Sequence, residues 1–213
     1  GYMLILAGFL ILSYYSVIAG WATSYVFKAA SGIFLNADAS HINQIFNDLI
    51  SSPYELAFWH TVVIAATIGV VSMGVEKGLE RAVIYLLPSM VVLLLIIVGY
   101  SMSTGFFAKG VNFLFAPDLS ELTSHGVLVA VGHAFFTLSL ATGSIMMYGA
   151  YLPKHISIPK TSFYIALADT LIALLAGLAI FPIVFAHGLK VGAGPGLIFK
   201  SLPLAFGHMP YGT

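Results

Sequence analysis

The sequence predicts an all-α integral membrane fold, and three observations carry that prediction. Hydrophobic residues make up 60% of the chain and charged residues only 8%, against about 25% charged in an ordinary soluble domain. The few charges are grouped, so they divide the chain into five long stretches almost free of charge. Each stretch can cross about 30 Å of hydrocarbon as a helix, which takes about 20 residues. So much apolar surface with so few charges calls for a lipid bilayer as solvent.

In chain order, the first helix is expected over about 1–29, ending near Lys28. A polar stretch follows between Ser31 and Glu55, with Asn36, Asp38, His41, Asn43, Asn47 and Asp48. The second helix is expected over 56–75, interrupted only by His60. The third covers 79–104, around an uncharged run from Ala82 to Ala108 bounded by Arg81 and Lys109. The fourth covers 122–152 without a formal charge, and the fifth covers 160–188, with Asp169 as the one charge beyond Lys160 at its start. The tail, 190–213, is apolar but broken by Gly192, Gly194, Pro195, Gly196, Pro203, Gly207 and Pro210. Such a segment suits a re-entrant or hairpin loop packed against protein. All of this forms one transmembrane domain. The chain opens inside an apolar run, Gly1-Tyr2-Met3, and closes on Met209-Pro210-Tyr211-Gly212-Thr213, which reads as the interior of a longer protein.

Charge also narrows partners and orientation. The net charge is zero, so nucleic acid is not an expected partner. The absence of cysteine excludes disulfides and thiolate metal sites. The short loops after the second and fourth helices hold Lys77, Arg81, Lys154 and Lys160. Basic residues in short loops face the cytoplasm, which puts this pair inside.

The chemistry concentrates at depth in the membrane. Asp169 is a carboxylate inside an apolar span, and such a group usually faces a cavity, a cation or a partner. A hydrogen-bonded structural Asp or a protonated one is the alternative. The fourth span is too long for a simple crossing, since 30 residues of helix reach about 45 Å. Its middle reads Phe135-Phe136-Thr137-Leu138-Ser139-Leu140-Ala141-Thr142-Gly143-Ser144. Secondary transporters build sites from discontinuous helices of this composition; a tilted helix with hydroxyls bonded to its own carbonyls is the other reading. Tyr15 lies about halfway along the first span, where its hydroxyl needs a polar partner. The histidines show no metal-ligand spacing, so no metal centre is expected beyond an alkali ion. Gly78 and Pro88, ten residues apart at a cytoplasmic helix start, read either as punctuation with a kink or as an end built to unwind.

Four ordered stretches carry a family resemblance. The run from Gly132 through Phe135-Phe136-Thr137-Leu138-Ser139-Leu140 and Gly143 to Tyr148-Gly149-Ala150-Tyr151 resembles the sixth helix of neurotransmitter:sodium symporters, nearest the bacterial leucine-transporter type. Tyr14-Tyr15 with Trp21, Gly74 to Arg81, and Gly110 to Asp118 agree in the same order. Leu202-Pro203 and Tyr211-Gly212-Thr213 look like the family's fourth extracellular loop. The resemblance spans nearly the whole chain and implies a partial leucine-transporter fold, about helices three to seven of twelve.

The resemblance also implies roles. Thr137 and Asp169 fall on the sodium site that touches the substrate carboxylate. Tyr15 falls on the tyrosine that binds that carboxylate, and Phe136 on the aromatic lid. Ile11, Ile18, Ser139 and Thr142 fall on the side-chain pocket, with Thr142 where a bulky aromatic often closes it. Gly78 and Pro88 match the unwinding motif of the fifth helix, and Gly143 belongs to the break in the sixth. His133 and Ala173 depart from the chloride-dependent members, and the permanent charge of Asp169 then implies chloride independence. The implied activity is symport of Na+ with an amino acid or related small zwitterion by alternating access, in a bacterial inner membrane, with no organic cofactor. Proton coupling, or a receptor that binds without transporting, are the alternatives. Homodimerisation is left open by the sequence. An intramembrane enzyme would need a nucleophile with a partnered base, which Asp169 and scattered hydroxyls do not supply.

Overall fold

The computed structural model describes residues 2–116, 120, 122–140, 143–153, 155–188 and 197–207. Among them the secondary structure is helical throughout, with no strand. In order these are α1 (Tyr2–Ala30), α2 (Ala39–Ser51), α3 (Pro53–Ser72), a π-helical turn (Val75–Glu80), α4 (Arg81–Ser103), α5 (Phe107–Phe115), α6 (Ser124–Thr137), α7 (Ser144–Ala150), α8 (Ile158–Ala186), a second π-helical turn (Leu197–Ser201) and α9 (Leu202–Gly207). Among the described residues four helices are long and apolar enough to cross a membrane: α1, α3, the helical run 77–103 and α8. The fourth expected span is a broken one, divided between α6 and α7.

Two segments expected only as connections are helical. In the polar stretch, the Asp38 carboxylate caps α2 by accepting from the His41 amide at 2.9 Å. Ile42, Ile45, Phe46 and Leu49 then fall on one face and are buried, the spacing of an amphipathic surface helix. Beyond the third span, α5 forms a short helix whose Phe113 packs on α8.

The helices make two packed groups. In the first, α1 crosses α3 at Gly20, where a Cβ would lie 3.1 Å from the His60 backbone nitrogen. One turn on, the Ser24 hydroxyl donates to Glu55 Oε1 at 3.2 Å, and Lys28 Nζ reaches the same oxygen at 3.0 Å. The C-terminal end of α1 joins α2 and the second π-helical turn in an aromatic core. Phe199 is only 2% exposed there, with ring centroids 5.1 Å from Tyr25, 5.7 Å from Trp21 and 6.0 Å from Phe46. The Tyr25 hydroxyl and the Trp21 indole N–H are buried in it without a hydrogen-bond partner.

The second group is α4, α5 and α8. Gly110 of α5 sits against Pro182 of α8, so close that a Cβ would meet the ring at 2.6 Å. Phe113 packs on Phe181 at 4.8 Å and on Phe185 at 5.6 Å. Even within these groups α3 has no fully buried residue and α4 only Ser101. Their apolar faces, with Ile68, Val71, Leu86, Leu93 and Ile96, are exposed, as suits contact with lipid or further helices.

Candidate functional site: a cavity at a broken helix

The break begins where α6 stops at Thr137. Leu138 still donates its amide to the Ala134 carbonyl at 3.2 Å, but Ser139 turns back to Phe136 at 3.0 Å and Leu140 to Phe135 at 2.9 Å. Ser139 adopts φ 54 and Gly143 φ 83. The left-handed region costs an L-residue about 1–2 kcal/mol and glycine almost nothing, so the helical ladder cannot pass this point. Gly143 meets the opening turns of α1, a Cβ there lying 3.5 Å from Leu4 Cβ.

A cavity of about 540 Å³ opens beside the break. Helix α1 lines it with Gly8, Ile11, Leu12 and Tyr15, the one-face spacing of a helix. The broken segment contributes Phe136, Thr137, Ser139 and Ser144, and α8 contributes Asp169. The Tyr15 and Phe136 rings lie 6.1 Å apart, tilted by 33°. The Thr137 hydroxyl is turned to its own helix, donating to the Ala134 carbonyl at 3.3 Å. Among the described residues Asp169 has no ion-pair partner; Lys28–Glu55 is the one ion pair.

Six of the expected site residues therefore share this cavity: Ile11, Tyr15, Phe136, Thr137, Ser139 and Asp169. Ile18 lies farther along α1 and packs against the aromatic core. Thr142 lies outside the described residues, as do parts of the expected hairpin, 190–196 and 208–213. Gly8, Leu12 and Ser144 were not anticipated. The signal for the first two was present, since they fall three and seven residues, or three, from Ile11 and Tyr15 on the same face.

Gly78 and Pro88 are not at the cavity. Gly78 lies in the first π-helical turn, where a Cβ would run into the Val70 carbonyl oxygen. Pro88 lies inside α4 and removes one ladder donor there. The start of α4 is thus irregular, and only glycine fits its tightest point.

Several membrane-crossing helices, one of them broken beside a cavity that a carboxylate enters, define the architecture of a secondary transporter. The chain belongs to the sodium:neurotransmitter symporter family, whose model matches residues 33–213. It is 38% identical over its full length to the Bacillus subtilis sodium-dependent transporter YhdH, covering 47% of that protein. It is 34% identical over 98% of its length to a sodium-dependent transporter of Haemophilus influenzae, again covering 47%. The crystal structure of MhsT in complex with L-phenylalanine matches all of the chain at a TM-score of 0.89 and 43% identity, the chain covering 48% of MhsT. The fold is thus a partial leucine-transporter fold, and the chain spans about half the length of the relatives it matches. Those relatives are transporters, not enzymes.

Proposed function

We propose that the chain is the central part of a sodium-driven symporter of an amino acid or related small zwitterion in a bacterial inner membrane. The observation that carries this reading is the single cavity shared by Tyr15, Thr137 and Asp169 at the broken helix. Names of the relatives support sodium dependence, and the phenylalanine bound to MhsT makes apolar amino acids the first substrates to try.

Na+ is a hard cation that takes oxygen ligands. Thr137 offers a hydroxyl and a carbonyl, and Asp169 a carboxylate whose negative charge offsets the cost of stripping water from the ion. The substrate carboxylate bridges that ion and the Tyr15 hydroxyl. Phe136 closes over the substrate, whose side chain lies among Ile11, Ser139 and Thr142, with Ile18 toward the outside. Because sodium and carboxylate touch, each raises the affinity for the other by the same factor. Asp169 supplies a fixed negative charge, with His133 and Ala173 nearby in sequence positions that chloride-dependent members fill differently, so chloride is not required. Alternating access moves the broken helix relative to α1, and Gly78, Pro88 and Gly143 are the points where the backbone yields.

The test is uptake of labelled amino acids into proteoliposomes by the full-length parent, under an imposed sodium gradient and without chloride. Sodium-dependent uptake lost in Asp169→Ala is the expected result. Uptake driven by a pH gradient and indifferent to sodium overturns it in favour of proton coupling. Binding without uptake overturns it in favour of a receptor.

A further inference from the structure

Helix α8 carries Asp169 and, nearer its other end, Pro182. Proline has no amide hydrogen, so the carbonyl four residues earlier loses its ladder donor. That carbonyl belongs to Leu178. The Ser101 hydroxyl of α4, fully buried, lies 2.9 Å from the Leu178 oxygen and donates to it. The same hydroxyl also lies 2.8 Å from the Val98 carbonyl of its own helix. A hydroxyl has one proton, so the two acceptors compete for it. Val98 retains the ladder donor of an ordinary helix interior, whereas Leu178 has lost its own. The proton is needed across the helices.

This α4–α8 bond lies at the stretch of α8 that also packs most closely on α5. Gly110 leaves room for the Pro182 ring, and Gly177 for Leu114, where a Cβ would approach to 2.9 Å. No side chain can fill in if α8 shifts, so the hydrogen bond and the two glycine notches set one register of α8 against α4 and α5. Nine residues separate Leu178 from Asp169, about 13 Å along a helix at 1.5 Å per residue. A tilt of roughly 5° at Leu178 moves the carboxylate by about 1 Å, twice the tolerance of about 0.5 Å within which binding groups must be held.

We propose that Ser101 is a positioning residue for the cation site: by satisfying the carbonyl that Pro182 strips of its donor, it sets the height and tilt at which α8 presents Asp169 to the cavity. The proposal rests on the sodium-symport reading of that cavity, and it reaches a residue far from any ion.

The experiment measures sodium-dependent uptake by the full-length parent in proteoliposomes, normalised to the amount of folded transporter. Ser101→Ala is expected to raise the half-saturating sodium concentration about fivefold, because α8 must shift to find the Leu178 carbonyl another donor and so draws Asp169 off its ion-binding position, with the maximal rate per transporter little changed. Ser101→Thr keeps the hydroxyl and restores the wild-type value. The deciding variant is Pro182→Ala, which gives Leu178 a helical donor of its own. In that background Ser101→Ala is expected to have no further effect on the sodium dependence. An equal shift in both backgrounds means that Ser101 acts only by packing, and overturns the proposal. An unchanged sodium dependence in Ser101→Ala alone overturns it as well. If the wild-type parent shows no sodium dependence, the symport reading itself has failed, which is a different result.

Discussion

The ring of Tyr15, halfway along α1, lies 6.1 Å from the ring of Phe136 at the last turn of α6. That separation places a phenolic hydroxyl and an aromatic face on two walls of one cavity, with Thr137 and Asp169 on the others. Among the described residues the Tyr15 hydroxyl has no hydrogen-bond partner that folding would lose on its removal. Tyr15→Phe should therefore leave stability unchanged and weaken substrate binding about tenfold to a hundredfold, the range for losing a hydrogen bond to a charged group. Equilibrium binding of labelled substrate to the purified parent measures this. Unaltered affinity would remove Tyr15 from the site.

Asp169→Asn keeps the shape of the side chain and removes its charge. Sodium affinity should fall at least tenfold, and added chloride should recover part of it by supplying the missing negative charge. Uptake measured with chloride and with gluconate separates the two. Equal uptake in both salts would show that the charge of Asp169 does not stand in for an anion.

Gly20 permits the α1–α3 crossing. With a Cβ only 3.1 Å from the His60 nitrogen and 3.2 Å from the Trp59 carbonyl carbon, any side chain forces the two backbones apart. Gly20→Val should destabilise the protein by about 1–3 kcal/mol, the usual cost of overpacking, and Gly20→Ala by less. Thermal unfolding in detergent gives the order, and a stable valine variant would mean the crossing is loose.

Outside the membrane-spanning segments, the amide of His41 donates to Asp38, helped by the Ser40 hydroxyl, and holds the Asp38 carboxyl below its usual value. A carboxyl lowered on folding adds stability above its unfolded pKa and loses it as the pH falls through the folded one. Protection of the α2 amides from hydrogen exchange should accordingly drop in acid. Asp38→Asn, which still caps, should flatten that dependence in the acidic range. An unchanged acid profile in the asparagine variant would assign the effect to another group.

Much of the candidate site could be read from residue types along the chain, though in uneven ways. Asp169 stands out because a carboxylate inside an apolar span is costly wherever the helix lies. The break was legible as a choice between two conformations, and left-handed Ser139 and Gly143 decide it. Helix α2 carried its own signature, an Asp38 cap followed by Ile42, Ile45, Phe46 and Leu49, but charges used to mark spans hid it inside a polar stretch. Gly8 and Leu12 shared a helical face with Tyr15, yet no local pattern says which face of an all-apolar helix meets a cavity.

Sequence alone therefore determined the membrane class, the order of the spans, the family resemblance and the residue types able to bind an ion. These follow from local quantities, namely hydropathy, charge spacing and motif, and each acts within one turn or one span. Tertiary structure decided which face of α1 meets Asp169, that Phe199 seats the 197–207 segment on α1 and α2, and that Ser101 answers the carbonyl left open by Pro182. Those relationships join residues far apart in the chain. They depend on close packing between helices, at notches such as Gly20 and Gly110, and a uniformly apolar surface does not encode in its periodicity which neighbour it will meet.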